Sequence, residues 1–284
     1  MLPRFFSSDR AGRPAVTERP IWSLLALLVI SSVGMTLRHP DPAARGNQPA
    51  GVSVRYTEGT VHGFLELRTE SGALLAHGDL LQVARGAEVE SRALFHFPDS
   101  SIFDETVRFT QDSVFTLESY ELVQSGPAFS DDLTATLTRS GQYSVVSKPH
   151  DHGDIKRYTG TLDLPPDVYN GMIITIAKNL LTGAVHTVHM VGFTPAPRLI
   201  ELEMAPSASR PVMLGDHPEA AVRFTLTPKL GGLLSVFAAL AGRTPPPSTL
   251  WIVTDSIPAF MQFEGPLYAG PVWRLTQTNP QWSR

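Results

Sequence analysis

The side chains best suited to chemistry in this 284-residue chain are its nine histidines and its acids. His150-Asp151-His152-Gly153-Asp154 and His186-Thr187-Val188-His189 carry the nitrogen and oxygen donors that a divalent metal takes. Residues three apart on a strand point to opposite faces, so His186 and His189 cannot grip one ion without a bulge. His150 and His152 are two apart and can share a face, but they follow Lys148-Pro149 in what reads as a polar hairpin loop. No metal-motif spacing supports them, and with no cysteine there is no thiolate ligand or nucleophile. Solvated turn histidines are the expectation. No metal and no other cofactor is assigned.

Acids are paired at Asp104-Glu105, Asp131-Asp132 and Glu201/Glu203. A glycosidase places two carboxyls about 5 to 9 Å apart across a cleft, a distance that spacing along a chain does not specify. Glu201 and Glu203 alternate with Leu202 and Met204, as a half-exposed strand does. No Gly-x-Ser-x-Gly elbow, phosphate loop, His-Glu-x-x-His run or dinucleotide glycine fingerprint occurs. No catalytic residue is assigned, and the enzyme reading ranks below a binding one.

The elements that would hold such residues are mostly strands. Alternating runs broken by Gly, Pro, Asp and Ser fall at 52–57, 61–69, 73–83, 88–97, 105–111, 113–122, 132–138, 142–147, 155–162, 185–193, 198–204, 220–227, 249–254, 259–264 and 271–276. Their connections are too short for crossover helices, which predicts a large antiparallel sheet with one or two short helices. One helix of three turns is expected from Leu164-Pro165-Pro166-Asp167 to Leu181, ahead of Gly183. A second is expected within 230–240, stopped by Gly242 and the proline run 245–247.

Ile21 to Met35 is an uncharged, mostly apolar run behind Arg4, Arg10, Arg13 and Arg19, the pattern of an N-terminal signal or anchor helix. It is shorter than a comfortable bilayer span, so a cleaved signal peptide and a retained anchor both remain open. Residues 1–38 are read as that segment, 39–51 as a linker and 52–284 as a single antiparallel β domain, exported to the periplasm or the outer face of the inner membrane. Removal of residues 1–38 takes five Arg and two acids from a chain of 23 basic and 27 acidic residues, so the remainder carries a formal −7. That charge disfavours nucleic acid and leaves residues 21–36, if uncleaved, as the route to a membrane.

The signal segment, the strand-rich body, the Leu164-Pro165-Pro166-Asp167-x-Tyr169-Asn170-Gly171 run and the Phe263-Glu264-Gly265-Pro266-Leu267-Tyr268 run together resemble exported bacterial proteins of domain-of-unknown-function families. These are similar to the half-barrel carriers of outer-membrane lipoproteins. The resemblance covers roughly residues 55–280. It implies a curved sheet whose concave face is partly filled by a helix, the geometry that holds acyl chains in the carriers.

Tyr169 and Tyr268 are the aromatic residues suited to the wet rim of such a cavity, and turn formation and core closure explain the same positions without a ligand. Met172, Ile173, Ile176 and Leu180 fall on one helical face, which either fills the core or walls an apolar pocket. Tyr169, Met172, Ile173, Ile176 and Tyr268 are therefore the candidate ligand-binding residues. The leading expectation is a non-enzymatic envelope protein that binds a lipid or other apolar small molecule. A structural or interaction module of the envelope, and a hydrolase of envelope polymers, are the alternatives.

Overall fold

The computed structural model describes residues 51–278 apart from 151–152, 194–195, 215, 230–246, 255–256 and 268–269. The expected signal or anchor, the linker up to residue 50 and the helix at 230–240 lie outside the described residues. Among the described residues no helix is long and apolar enough to cross a membrane.

Two antiparallel meanders make one 14-stranded sheet. The first runs through β1 (Val61–Thr69), β2 (Leu74–Arg85), β3 (Glu88–His96), β4 (Ile102–Gln111), β5 (Phe115–Ser125), β6 (Asp131–Thr138), β7 (Gln142–Pro149) and β8 (Lys156–Thr161). The second runs through β9 (His186–Gly192), β10 (Arg198–Leu214), β11 (His217–Lys229), β12 (Ser248–Val253), β13 (Ala259–Gly265) and β14 (Trp273–Thr278). β14 pairs with β1, which joins the meanders and leaves β8 and β9 as the outer strands. The sheet is curved and not closed.

Curvature is visible in the contacts across the interior. Tyr120 of β5 stacks on Phe193, just beyond the far outer strand β9, with ring centroids 5.7 Å apart. Phe97 after β3, Phe129 before β6 and Trp273 of β14 form an aromatic cluster with centroids 5.5 to 6.3 Å apart. Both meanders thus bury their inner rows in one core, with Phe95, Phe109, Phe115, Leu137, Phe224 and Leu250 almost free of solvent. The alternation of apolar and polar residues along each strand selects that inner face.

Three expectations are corrected. Residues 52–57 do not form a strand; only Ser53 bridges Val114. Side chains occupy this segment's donors instead: Asn179 Oδ1 accepts the N–H groups of Arg55 and Tyr56 at 2.8 Å each, and Gln111 Oε1 accepts that of Glu58 at 2.6 Å. Donors committed to side chains cannot build a ladder.

The hairpin of β10 and β11 is longer than the expected 198–204 and 220–227. Pro206 and Pro211 suggest an early stop, but a bulge between Pro206 and Ala208 accommodates the first break and pairing resumes to Leu214 and His217.

The helix is shorter than expected. It spans only Ile173–Asn179, as α1, because the residues before it turn and bridge to β9, Val168 pairing with His189.

Candidate functional site

The connector between β8 and β9 positions α1, and the 164–171 run explains how. Pro165 and Pro166 have no N–H to offer a helix. Asp167, almost wholly buried, takes the Nδ1–H of His189 on both carboxylate oxygens at 2.9 Å. The main chain answers in the same place: the N–H of Tyr169 donates to the carbonyl of His189, and the N–H of His189 to the carbonyl of Asp167, each at 2.9 Å. Asn170 then acts as a further backbone unit, its Nδ2 donating to the Val191 carbonyl and its Oδ1 accepting the Val191 N–H, both at 2.8 Å. The connector thereby occupies the outer edge of β9 and satisfies its polar groups.

Gly171 ends the extended run with φ at +70°. An added Cβ there would meet Val107 Cβ at 3.1 Å and the Tyr120 ring at 3.2 Å. Glycine is required by both the backbone and the space.

Of the expected ligand-binding residues, Met172 and Ile176 are fully buried against the core and Ile173 is half-buried, with Leu180 continuing the buried stripe. Tyr169 stands in the extended run, not in a first helical turn as expected. Its ring is buried and its hydroxyl accepts the N–H of Val52 at 2.7 Å and faces the Phe115 carbonyl at 3.4 Å. Burial pushes its phenol up to about 12. Tyr268 lies outside the described residues. The structure therefore brings Tyr169, Met172 and Ile176 together on the side of the connector that faces the core.

The histidines and acids are tied up separately. His150 places Nε2 2.9 Å from Asp132 Oδ1 and Nδ1 3.1 Å from the Phe129 carbonyl; His152 is outside the described residues. His186 Nε2 sits 3.1 Å from the Leu181 carbonyl, away from the His189 and Asp167 pair. Among the described residues no three His, Asp or Glu side chains are arranged to hold a metal ion. Asp104 and Glu105 point to opposite faces of β4, Asp104 outward in a two-toothed pair with Arg92 at 2.6 and 2.8 Å. Asp131 is hydrogen-bonded by Ser130 and Ser147, and Glu203 pairs with Lys229 at 3.0 Å.

Glu105 is the residue that the pairing of acids obscured. The registers of the first meander align Gly63, Leu80, Ala93, Glu105, Leu122, Ala135, Val145 and Tyr158 in one inner row across eight strands. Glu105 is the only charged member. The phenol of Tyr120, next to it on β5, donates to Glu105 Oε1 at 2.7 Å. Burial raises the pKa of the carboxyl against the lowering effect of the Tyr120 hydrogen bond.

The Glu105 side chain nevertheless keeps accessible surface, as do Gly63, Leu80 and Ala93 beside it in the row. Farther along, Leu122, Ala135 and Val145 are buried. A signal for Glu105 was present in Phe103-x-Glu105-x-Val107-x-Phe109, one acid in an otherwise apolar strand face.

The row and its two neighbours, Val61 to Gly160 and Leu65 to Lys156, contain no second Asp or Glu. Glu105 can accept hydrogen bonds or pair with a cation, but these rows offer it no partner carboxyl for two-carboxylate hydrolysis.

No family model matches the chain, and no curated protein matches it in sequence. In fold it is similar to the crystal structure of a beta-barrel-like protein of domain of unknown function DUF1849 from Brucella abortus, with a TM-score of 0.41 and 9% identity over 78% of this chain and 98% of that one.

Proposed function

We propose that the chain is a non-enzymatic binding protein of the cell envelope that holds an apolar or amphipathic molecule inside its curved sheet. One observation carries this reading: the row from Gly63 through Leu80 and Ala93 to Glu105 keeps accessible surface although it lies on the core-facing side of the sheet. A filled core would leave such a row dry and contacted on all sides. Small residues at Gly63 and Ala93 leave room above the sheet, and Leu80 supplies apolar floor. Met172 and Ile176 are buried in the common core.

The envelope location rests on the basic leader and apolar run of residues 1–38. Fusing residues 1–50 to a reporter that works only outside the cytoplasm should give active reporter; a silent fusion overturns the location. Native mass spectrometry of the full chain, recovered without detergent from the envelope fraction, should show a non-covalent lipid-sized adduct that organic solvent extracts. A bare mass, together with no uptake of a fluorescent acyl probe, overturns the binding role.

A further inference from the structure

We infer that the interior space selects amphiphiles with a protonated amine head, held at Glu105, with the tail lying along Ala93, Leu80 and Gly63. This rests on the binding role proposed above and names its ligand class. The argument is one of unmatched acceptors. Glu105 Oε1 is taken by Tyr120. Among the described residues its other oxygen receives no hydrogen bond, and that oxygen is not sealed from solvent.

Gln124 stands on the same inner face of β5, diagonal to Glu105, because Leu122 is the residue opposite Glu105 and Phe103 is opposite Gln124. Diagonal cross-strand neighbours lie roughly 7–8 Å apart, within reach of long side chains. The Gln124 side-chain N–H is spent on the Asp131 carbonyl at 3.2 Å, and its Oε1 is buried with no partner. Gln124 is thus sealed and turned toward Asp131, and the second Glu105 oxygen is the acceptor that the accessible row offers. Buried acceptors without donors are costly, and a ligand that brings N–H groups relieves that cost.

Charge settles which donor fits best. Glu105 is the sole charged residue of its row, and no cation in that row or in the Val61 to Gly160 row above it neutralises it. Lys156, at the far end of the row below, stands on β8, four strands from Glu105 on β4. An ammonium supplies three donors and a positive charge in an apolar setting, where a charge-assisted hydrogen bond is stronger than a neutral one. A carboxylate head would place two like charges together.

The tail has a direction as well. From Glu105 the accessible row crosses Ala93 and Leu80 to Gly63, three strand spacings or roughly 14 Å. That length suits a chain of about a dozen carbons.

Titrating the full chain with dodecylamine, dodecanol and dodecanoate at neutral pH separates the cases. The expected result is that the amine binds about tenfold more tightly than the alcohol and the carboxylate most weakly. Glu105→Gln, which keeps an acceptor for Tyr120, should weaken the amine about tenfold and leave the alcohol within about twofold. Gln124→Met, at a sealed position on the same face, should leave the amine within about twofold. Unchanged amine affinity in Glu105→Gln, or dodecanoate binding as tightly as dodecylamine, overturns the head-group assignment. If dodecanol binds while the amine has no advantage, the interior-binding role stands and this assignment falls. If none of the three binds, both fall.

Discussion

The hydroxyl of Tyr169 accepts the backbone N–H of Val52 at 2.7 Å, across 117 positions of sequence. It ties the start of the β domain to the connector that carries α1, and Gly51 lies so close that an added Cβ would stand 3.1 Å from the same oxygen. Tyr169→Phe should leave the Val52 donor without its partner and lower stability by about 1–3 kcal/mol. Chemical denaturation measures this, and faster hydrogen exchange at Val52 than at Phe115 would localise the loss.

Ile176 is fully buried on α1, between Met172 and Leu180 on the same stripe. Truncation to Ala at a filled position costs roughly 2–5 kcal/mol. The full penalty is expected for Ile176→Ala, because at this residue the helix packs on the sheet and does not line open space. A midpoint shift in urea at constant slope is the measurement; a loss well below that range would place the open space against the helix instead.

Gly171 combines φ at +70° with Val107 and Tyr120 at close range. A left-handed conformation costs a non-glycine residue about 1–2 kcal/mol before any overlap is counted. Gly171→Ala should therefore destabilise by at least that much. Because the Tyr120 ring must give way, its stack on Phe193 should loosen too, which near-ultraviolet circular dichroism detects.

Burial raises the Glu105 carboxyl above its ordinary value near 4.5. The folded state then binds the proton more tightly than the unfolded one, so this group's contribution to stability is full below about pH 4.5. That contribution is lost as pH rises through the folded value. Glu105→Gln removes the titration. The variant should gain thermal stability relative to the parent as pH rises from 4 to 8. A difference that is flat with pH would show that Glu105 is not desolvated.

Strand content was legible along the chain because the side-chain period of a strand is local. Asp132-Leu-Thr-Ala-Thr-Leu-Thr138 and Val222-Arg-Phe-Thr-Leu-Thr227 show their buried faces in the residues themselves, and both fall in strands. The opposite facing of His186 and His189 followed from the same period, and the two rings do make separate hydrogen bonds. The Leu164 to Gly171 run stood out by composition, but its helical reading failed. The backbone carbonyl of Asp167 and the N–H of Tyr169 are claimed by His189, and the side-chain amide of Asn170 by Val191, which local propensity does not register.

The residues alone determined the antiparallel architecture, since alternation and short connections leave few other ways to bury these side chains. Only the tertiary structure decided what the interior presents. Whether Glu105 meets Tyr120, a salt-bridge partner or water depends on the register of β4 on β5, on the curl that brings Phe193 over Tyr120, and on the connector that carries Gly171 beside that ring. Those are sums over many strand pairings. A one-residue slip in any of them sends a side chain to the opposite face, so the character of the site belongs to the assembled sheet.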